Sequence, residues 1–212
     1  MKYEEIRNDL LNIPNRKTKE VDQYNKQLIK RGEDVSDLKK YVLKDQLLHR
    51  TYFQVSMGER KDVHQQFEFI EHNFALLQDW WHVDQLTQFL RKPVEFDYAF
   101  KKAGQYIQSD MPFVRRWGYV LFLAGLQKDA AHTEEILSLM KDDEEYYVQM
   151  AEAWLICDLA VFNTKAVVQF MENSKMKYSI LGKAIQKICD SYRITNEDKE
   201  YFKSLRAGLK EN

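Results

Sequence analysis

Strand-type alternation bounded by turn clusters is nearly absent from this chain, and only seven glycines and three prolines interrupt its 212 residues. Apolar residues recur instead at three- and four-residue spacing, as in YEEIRNDLLNI and TKEVDQYNKQLIKR. That pattern predicts an all-α fold. The breaks fall where helix ends are expected. Pro14 closes the first segment, and Gly32 stands where a C-cap favours glycine. Ser36 is the expected N-cap of SDLKKYVLKDQLLHR. Pro93 should stop the helix that runs through WWHVD, and Pro112 should sit just inside a helix start with Ser109 or Asp110 as its cap. Asp142 and Asp143 separate two further helices, and the acids of DDEEYY suit the positive end of the second. Short connections between helices make antiparallel neighbours.

The later helices resemble one another. FVRRWGYVLFLAGL, YYVQMAEAWLICDLA and ILGKAIQKICDSYR begin about 33 to 34 residues apart, near the period of helical-pair solenoids. Each is mostly apolar and follows a more polar, amphipathic helix. Stacked inner and outer helices of this kind make a HEAT-like array. The predicted fold is therefore an all-α, HEAT-like helical-repeat solenoid with a concave groove, forming a single domain over residues 1–212. Residues 1–57 are its divergent N-terminal part. A plain helical bundle is the competing reading of the same periodicity.

Composition narrows the function classes. Charged residues make up 31% and apolar ones 44%, and the formal net charge is -1. That balance announces no nucleic-acid binder, although a basic stripe on one face is compatible with it. No segment is long and apolar enough to span a bilayer, and MKYEEIRNDLL reads as an amphipathic helix rather than a signal peptide. Cys157 and Cys189 lie in helical segments without metal spacing and read as reduced core thiols of a cytoplasmic protein. His82 has no second ligand pair of the H-E-x-x-H type, so neither a metal nor another cofactor is expected. His49, His64, His72 and His132 are scattered and read as solvated.

One stretch stands out: QDWWHVDQL, residues 78–86. Adjacent helical residues diverge by about 100°, so Trp80 and Trp81 cannot both face a core. Trp80 and Asp84 are four apart and share a face. In a stacked array, Arg115 and Arg116, then Trp154, then Lys183 and Lys187 would join them along one groove. Cations suit a phosphate backbone, and indole faces suit a positively charged ligand. A carboxylate beside them would stabilise developing positive charge, as when a cationic base leaves a sugar. Each residue also has a plainer reading. Trp81 and Trp154 suit a core, Asp84 suits a solvated helix face, and the two arginines suit surface ion pairs worth about 0–1 kcal/mol.

DWWHVDQL, PFVRRWGYVLF and EYYVQMAEAWL, in that order, resemble the bacterial DNA alkylation repair family of HEAT-like DNA glycosylases, the AlkD-like proteins. ILGKAIQKICDSYRITNEDKEYFKSLR is similar to the end of its shorter members. The resemblance implies excision of positively charged N3- or N7-alkylpurines from duplex DNA, without a metal and without a closed pocket for the base. It implies catalytic roles for Trp80, Asp84 and Arg115, and DNA contacts for Trp154, Arg116 and Lys183. A monomer is expected. The chain departs from the family's commoner WWDTVD and GWALREY, with WWHVD and EAWLICD in their places. Those departures favour, as the alternative, a non-catalytic HEAT-like module that binds DNA or a partner protein.

Overall fold

The computed structural model describes residues 3–210, and among them every regular element is helical. The fold class is an all-α helical-repeat solenoid. Its packing resolves into two compact units, Met1–Val94 and Glu95–Asn212.

The first unit holds α1 (Tyr3–Asn12), α2 (Thr18–Arg31), α3 (Gln46–Gly58), α4 (Val63–His72), α5 (Trp80–Asp84) and α6 (Leu86–Phe89). In α2 the buried residues Val21, Asn25 and Leu28 keep the i, i+4, i+7 spacing of one helical face. Lys30 and Arg31 fill its last turn, and Gly32, at φ 66°, ends it in the left-handed conformation that glycine adopts without penalty. The Gly32 amide donates to the Ile29 carbonyl at 3.1 Å.

Ser36 does not cap an α-helix. Its amide and hydroxyl both donate to Asp34, and Ser36–Lys40 and Val42–Lys44 form 3-10 turns. The cap is Asp45, whose carboxylate accepts from the Leu47 and Leu48 amides at 2.8 and 3.3 Å. Two orphan amides satisfied by one side chain decide where the helix begins. From there α3 is buried almost continuously, from Leu48 to Met57, and packs on α2 and α6. The Asn25 amide donates to the Gln54 side chain at 2.7 Å across α2 and α3.

The second unit holds α7 (Phe96–Tyr106), α8 (Pro112–Val120), α9 (Thr133–Ser138), α10 (Tyr146–Phe162), α11 (Thr164–Asn173), α12 (Tyr178–Asp190) and α13 (Asn196–Lys210). Here the repeat is visible as two layers. The inner helix α10 packs between α8 and α12, and α11 packs against α9 and α13. The three inner helices are those whose sequences resemble one another. α10 is apolar on all sides, with Ala151, Ala153, Leu155, Ile156 and Leu159 fully buried, as a helix covered by neighbours must be. Pro112 does stand at the start of α8, where its missing amide costs nothing. The expected cap there is absent, because Met111 is the N-cap and Ser109 merely accepts from its amide at 3.1 Å. Among the described residues no helix is long and apolar enough to cross a membrane.

Candidate active site

WWHVD forms a helix of only five residues. Asp79 starts it by accepting from the Trp80 amide at 2.7 Å. Its continuation toward Pro93, expected from the sequence, is interrupted. α5 ends at Asp84, α6 runs only from Leu86 to Phe89, and the Thr87 hydroxyl donates to the Asp84 carbonyl at 3.0 Å, competing with the helical ladder. The short helix still keeps Trp80 and Asp84 one turn apart.

The two tryptophans differ in exposure, as their separation of about 100° allows. Trp81 is half-buried and meets His82 and His49 edge-on, with centroids at 4.0 and 5.1 Å. Trp80 turns outward and is 44% exposed. Trp80 and Asp84 line one cavity of about 510 Å³, together with Trp81, Arg16, Arg50 and Gln88.

Trp81 abuts a pair of stacked imidazoles. His49 and His82 face each other at 3.8 Å with their planes 5° apart. His49, expected to be solvated, is completely buried on α3. Its Nδ1 accepts from the Gln85 side chain at 2.8 Å, which leaves Nε2–H to donate to the Leu76 carbonyl at 3.2 Å. The His82 Nδ1 accepts from the Gln78 amide at 3.0 Å. This bonding assigns one tautomer to both rings. Burial, then the neighbouring His82, pushes His49 down to about 3. Burial also pushes His82 down to about 4, against the opposing pull of Asp79. Both rings are neutral at pH 7, and they anchor α5 rather than shuttle protons.

Arg50, which carried no signal in the sequence, is the fixed cation of the cavity. Its guanidinium grips Asp22 with two bonds, at 2.7 and 2.9 Å. It also donates to Gln85 at 3.3 Å and Gln88 at 3.0 Å, and lies 4.9 Å from the centre of the Phe89 ring. The network ties α2, α3 and α6 together around the cavity. These partners are 28 to 38 residues apart in the chain, so no local pattern could reveal them.

The other expected site residues belong to the second unit. Arg115 on α8 holds Asp143 through two bonds, at 2.6 and 3.0 Å, and donates to the Ser109 and Asp110 carbonyls. Arg116 is buried and donates to the Tyr147 carbonyl. Lys183 on α12 donates to the Gln149 side chain at 3.0 Å and to the Ser179 carbonyl at 2.7 Å, with its ammonium 5.7 Å from the Tyr146 ring centre. All three cations thus meet the segment running from Asp143 into the first turn of α10. Trp154 is half-buried on α10. Two positions before it, Glu152 is completely buried, and burial pushes its carboxyl up to about 8. Its Oε1 accepts from the Lys141 amide at 3.3 Å. Among the described residues no cluster of His, Cys, Asp and Glu could hold a metal ion.

A protein-family model described as DNA alkylation repair enzyme matches residues 10–188. The chain belongs to the DNA alkylation repair enzyme family. The matched span contains the Trp80–Asp84 cavity together with Arg115, Arg116, Trp154 and Lys183. No curated protein and no solved structure matches the chain. Membership places this protein in DNA alkylation repair and makes DNA its class of partner.

Proposed function

We propose that this family member is an AlkD-like DNA glycosylase that excises N3- or N7-alkylated, positively charged purines from duplex DNA, acting as a monomer. The observation that carries the reading is that an exposed indole, Trp80, and a carboxylate one turn away, Asp84, line the same cavity.

A cationic alkylpurine is already a good leaving group, so a strong general acid is not required. The glycosidic C1′–N bond breaks, and its electron pair leaves with the base and cancels the base's charge. Positive charge moves to the sugar. The Asp84 carboxylate stabilises that charge and positions the water whose oxygen bonds to C1′, and the added water then loses its proton to solvent. Trp80 lies against the deoxyribose and backbone at the lesion, and its exposed ring face favours a cationic group. Arg115 holds a phosphate, Arg116 and Lys183 support the backbone contact, and Trp154 offers the DNA a further indole. Arg115 and Lys183 meet DNA with part of their donor capacity already committed, so their contribution is to a field more than to a free fork.

Release of N7-methylguanine and N3-methyladenine from alkylated duplex DNA tests the reading. Wild type should release both, and Asp84→Asn should lose release by a factor of at least about 10² while keeping its DNA affinity, as for loss of a charge-stabilising group. Release by the variant at the wild-type rate overturns the mechanism. The engagement of Arg115 by Asp143 favours a second reading, a module that grips DNA without breaking a bond. Salt-dependent binding with no release by wild type would select it.

A further inference from the structure

The cavity that holds Trp80 and Asp84 contains a second cation, and its situation is unlike that of Arg50. Arg16 closes the 3-10 turn Pro14–Arg16 just before α2, is exposed, and lines the same cavity. Its backbone has φ 48°, the one positive value outside glycine among the described residues. An ordinary side chain adopts that region at a cost of about 1–2 kcal/mol, which glycine does not incur. Arg50 spends its donors on Asp22, Gln85 and Gln88. Among the described residues no carboxylate or carbonyl engages the Arg16 guanidinium. A strained backbone therefore presents an uncommitted five-donor fork to a cavity that also holds a carboxylate and an exposed indole.

We infer that Arg16 binds a DNA phosphodiester next to the nucleotide addressed by Trp80 and Asp84. The inference rests on the function proposed above and adds to it a residue on the near side of the site. Two opposite charges in one cavity match a nucleotide losing its base. The sugar becomes positive and suits Asp84, while the adjoining phosphate stays negative, is repelled by Asp84, and suits Arg16. The planar guanidinium takes two phosphate oxygens at once.

The test is the salt dependence of binding to an undamaged duplex oligonucleotide between about 50 and about 200 mM salt. Arg16→Gly deletes the fork and relaxes the backbone, and Arg16→Asn does the same with a second residue that tolerates this conformation. Neither should melt below wild type by more than a degree or two. Both should lower the slope of log affinity against log salt by about 0.9, the loss of one phosphate contact, so that the wild-type advantage shrinks about threefold across that range. Arg16→Lys should keep the slope. Wild-type slopes in the glycine and asparagine variants, with wild type still excising alkylpurines, would overturn the role of Arg16 alone. Absence of salt-dependent binding in wild type would overturn the functional reading and Arg16 with it.

Discussion

At the scale of residues, burial rather than identity decides what each titratable group does. His49 and His82 have the chemistry of proton shuttles, yet their stack lies under Trp81, and their ring nitrogens are committed to Leu76, Gln85 and Gln78. Their ordinary value is 6.5, and the fold lowers it to about 3 and about 4. Below pH 6.5 the unfolded chain takes up protons that the folded chain refuses. The stability contributed by the pair is therefore complete above pH 6.5 and is lost as pH falls through about 4 and then about 3. His82→Asn removes one of the two rings. The drop in the urea midpoint between pH 7 and pH 5 should be smaller in this variant than in wild type. Equal drops would mean that the stack does not govern acid sensitivity. Arg50 makes the complementary point, since a charge became a structural rivet only because Asp22, Gln85 and Gln88 converged on it.

At the scale of elements, short-range signals worked where one local interaction settles a helix end and failed where two candidates competed. Gly32 and Pro112 stand where their backbone chemistry placed them. Ser36 lost to Asp45, because the intervening residues coil into 3-10 turns and Asp45 lies where two free amides point back at it. Asp45→Ala should lower stability by about 1 kcal/mol, as for loss of an N-cap, whereas Ser36→Ala should stay within about 0.5 kcal/mol of wild type. Urea denaturation of both variants checks this, and a larger loss from Ser36→Ala would return the cap to the serine. The break between α5 and α6 was equally illegible. Nothing in HVDQLTQF forbids a continuous helix, and Leu86 stays buried on α6 where it packs against α3.

At the scale of the whole molecule, a formal net charge of -1 provides no long-range attraction to DNA. Binding has to come from local cations. In the first unit Arg16 lines the Trp80–Asp84 cavity, and Arg115, Arg116 and Lys183 meet the start of α10 in the second. The expected outcome is an affinity that falls steeply with salt, with a slope of roughly 2–4 for the few phosphates such a set would neutralise. Measuring affinity for duplex DNA across a salt series decides it. A flat dependence would mean that the phosphates are not what these residues hold.

The sequence by itself determined the all-α class, the repeat of apolar inner helices, the family, and the pairing of Trp80 with Asp84. All of these rest on spacing along one helix or on order along the chain, and helical geometry converts such spacing directly into a shared face. Tertiary structure alone decided that Trp80 is exposed while Trp81 is half-buried, that His49 is buried, and that Arg50 and Arg115 are each gripped by an aspartate 28 residues away. Exposure and ion pairing depend on which distant segments arrive beside a residue. That arrival follows from burial of whole helix faces, which no window of adjacent residues contains.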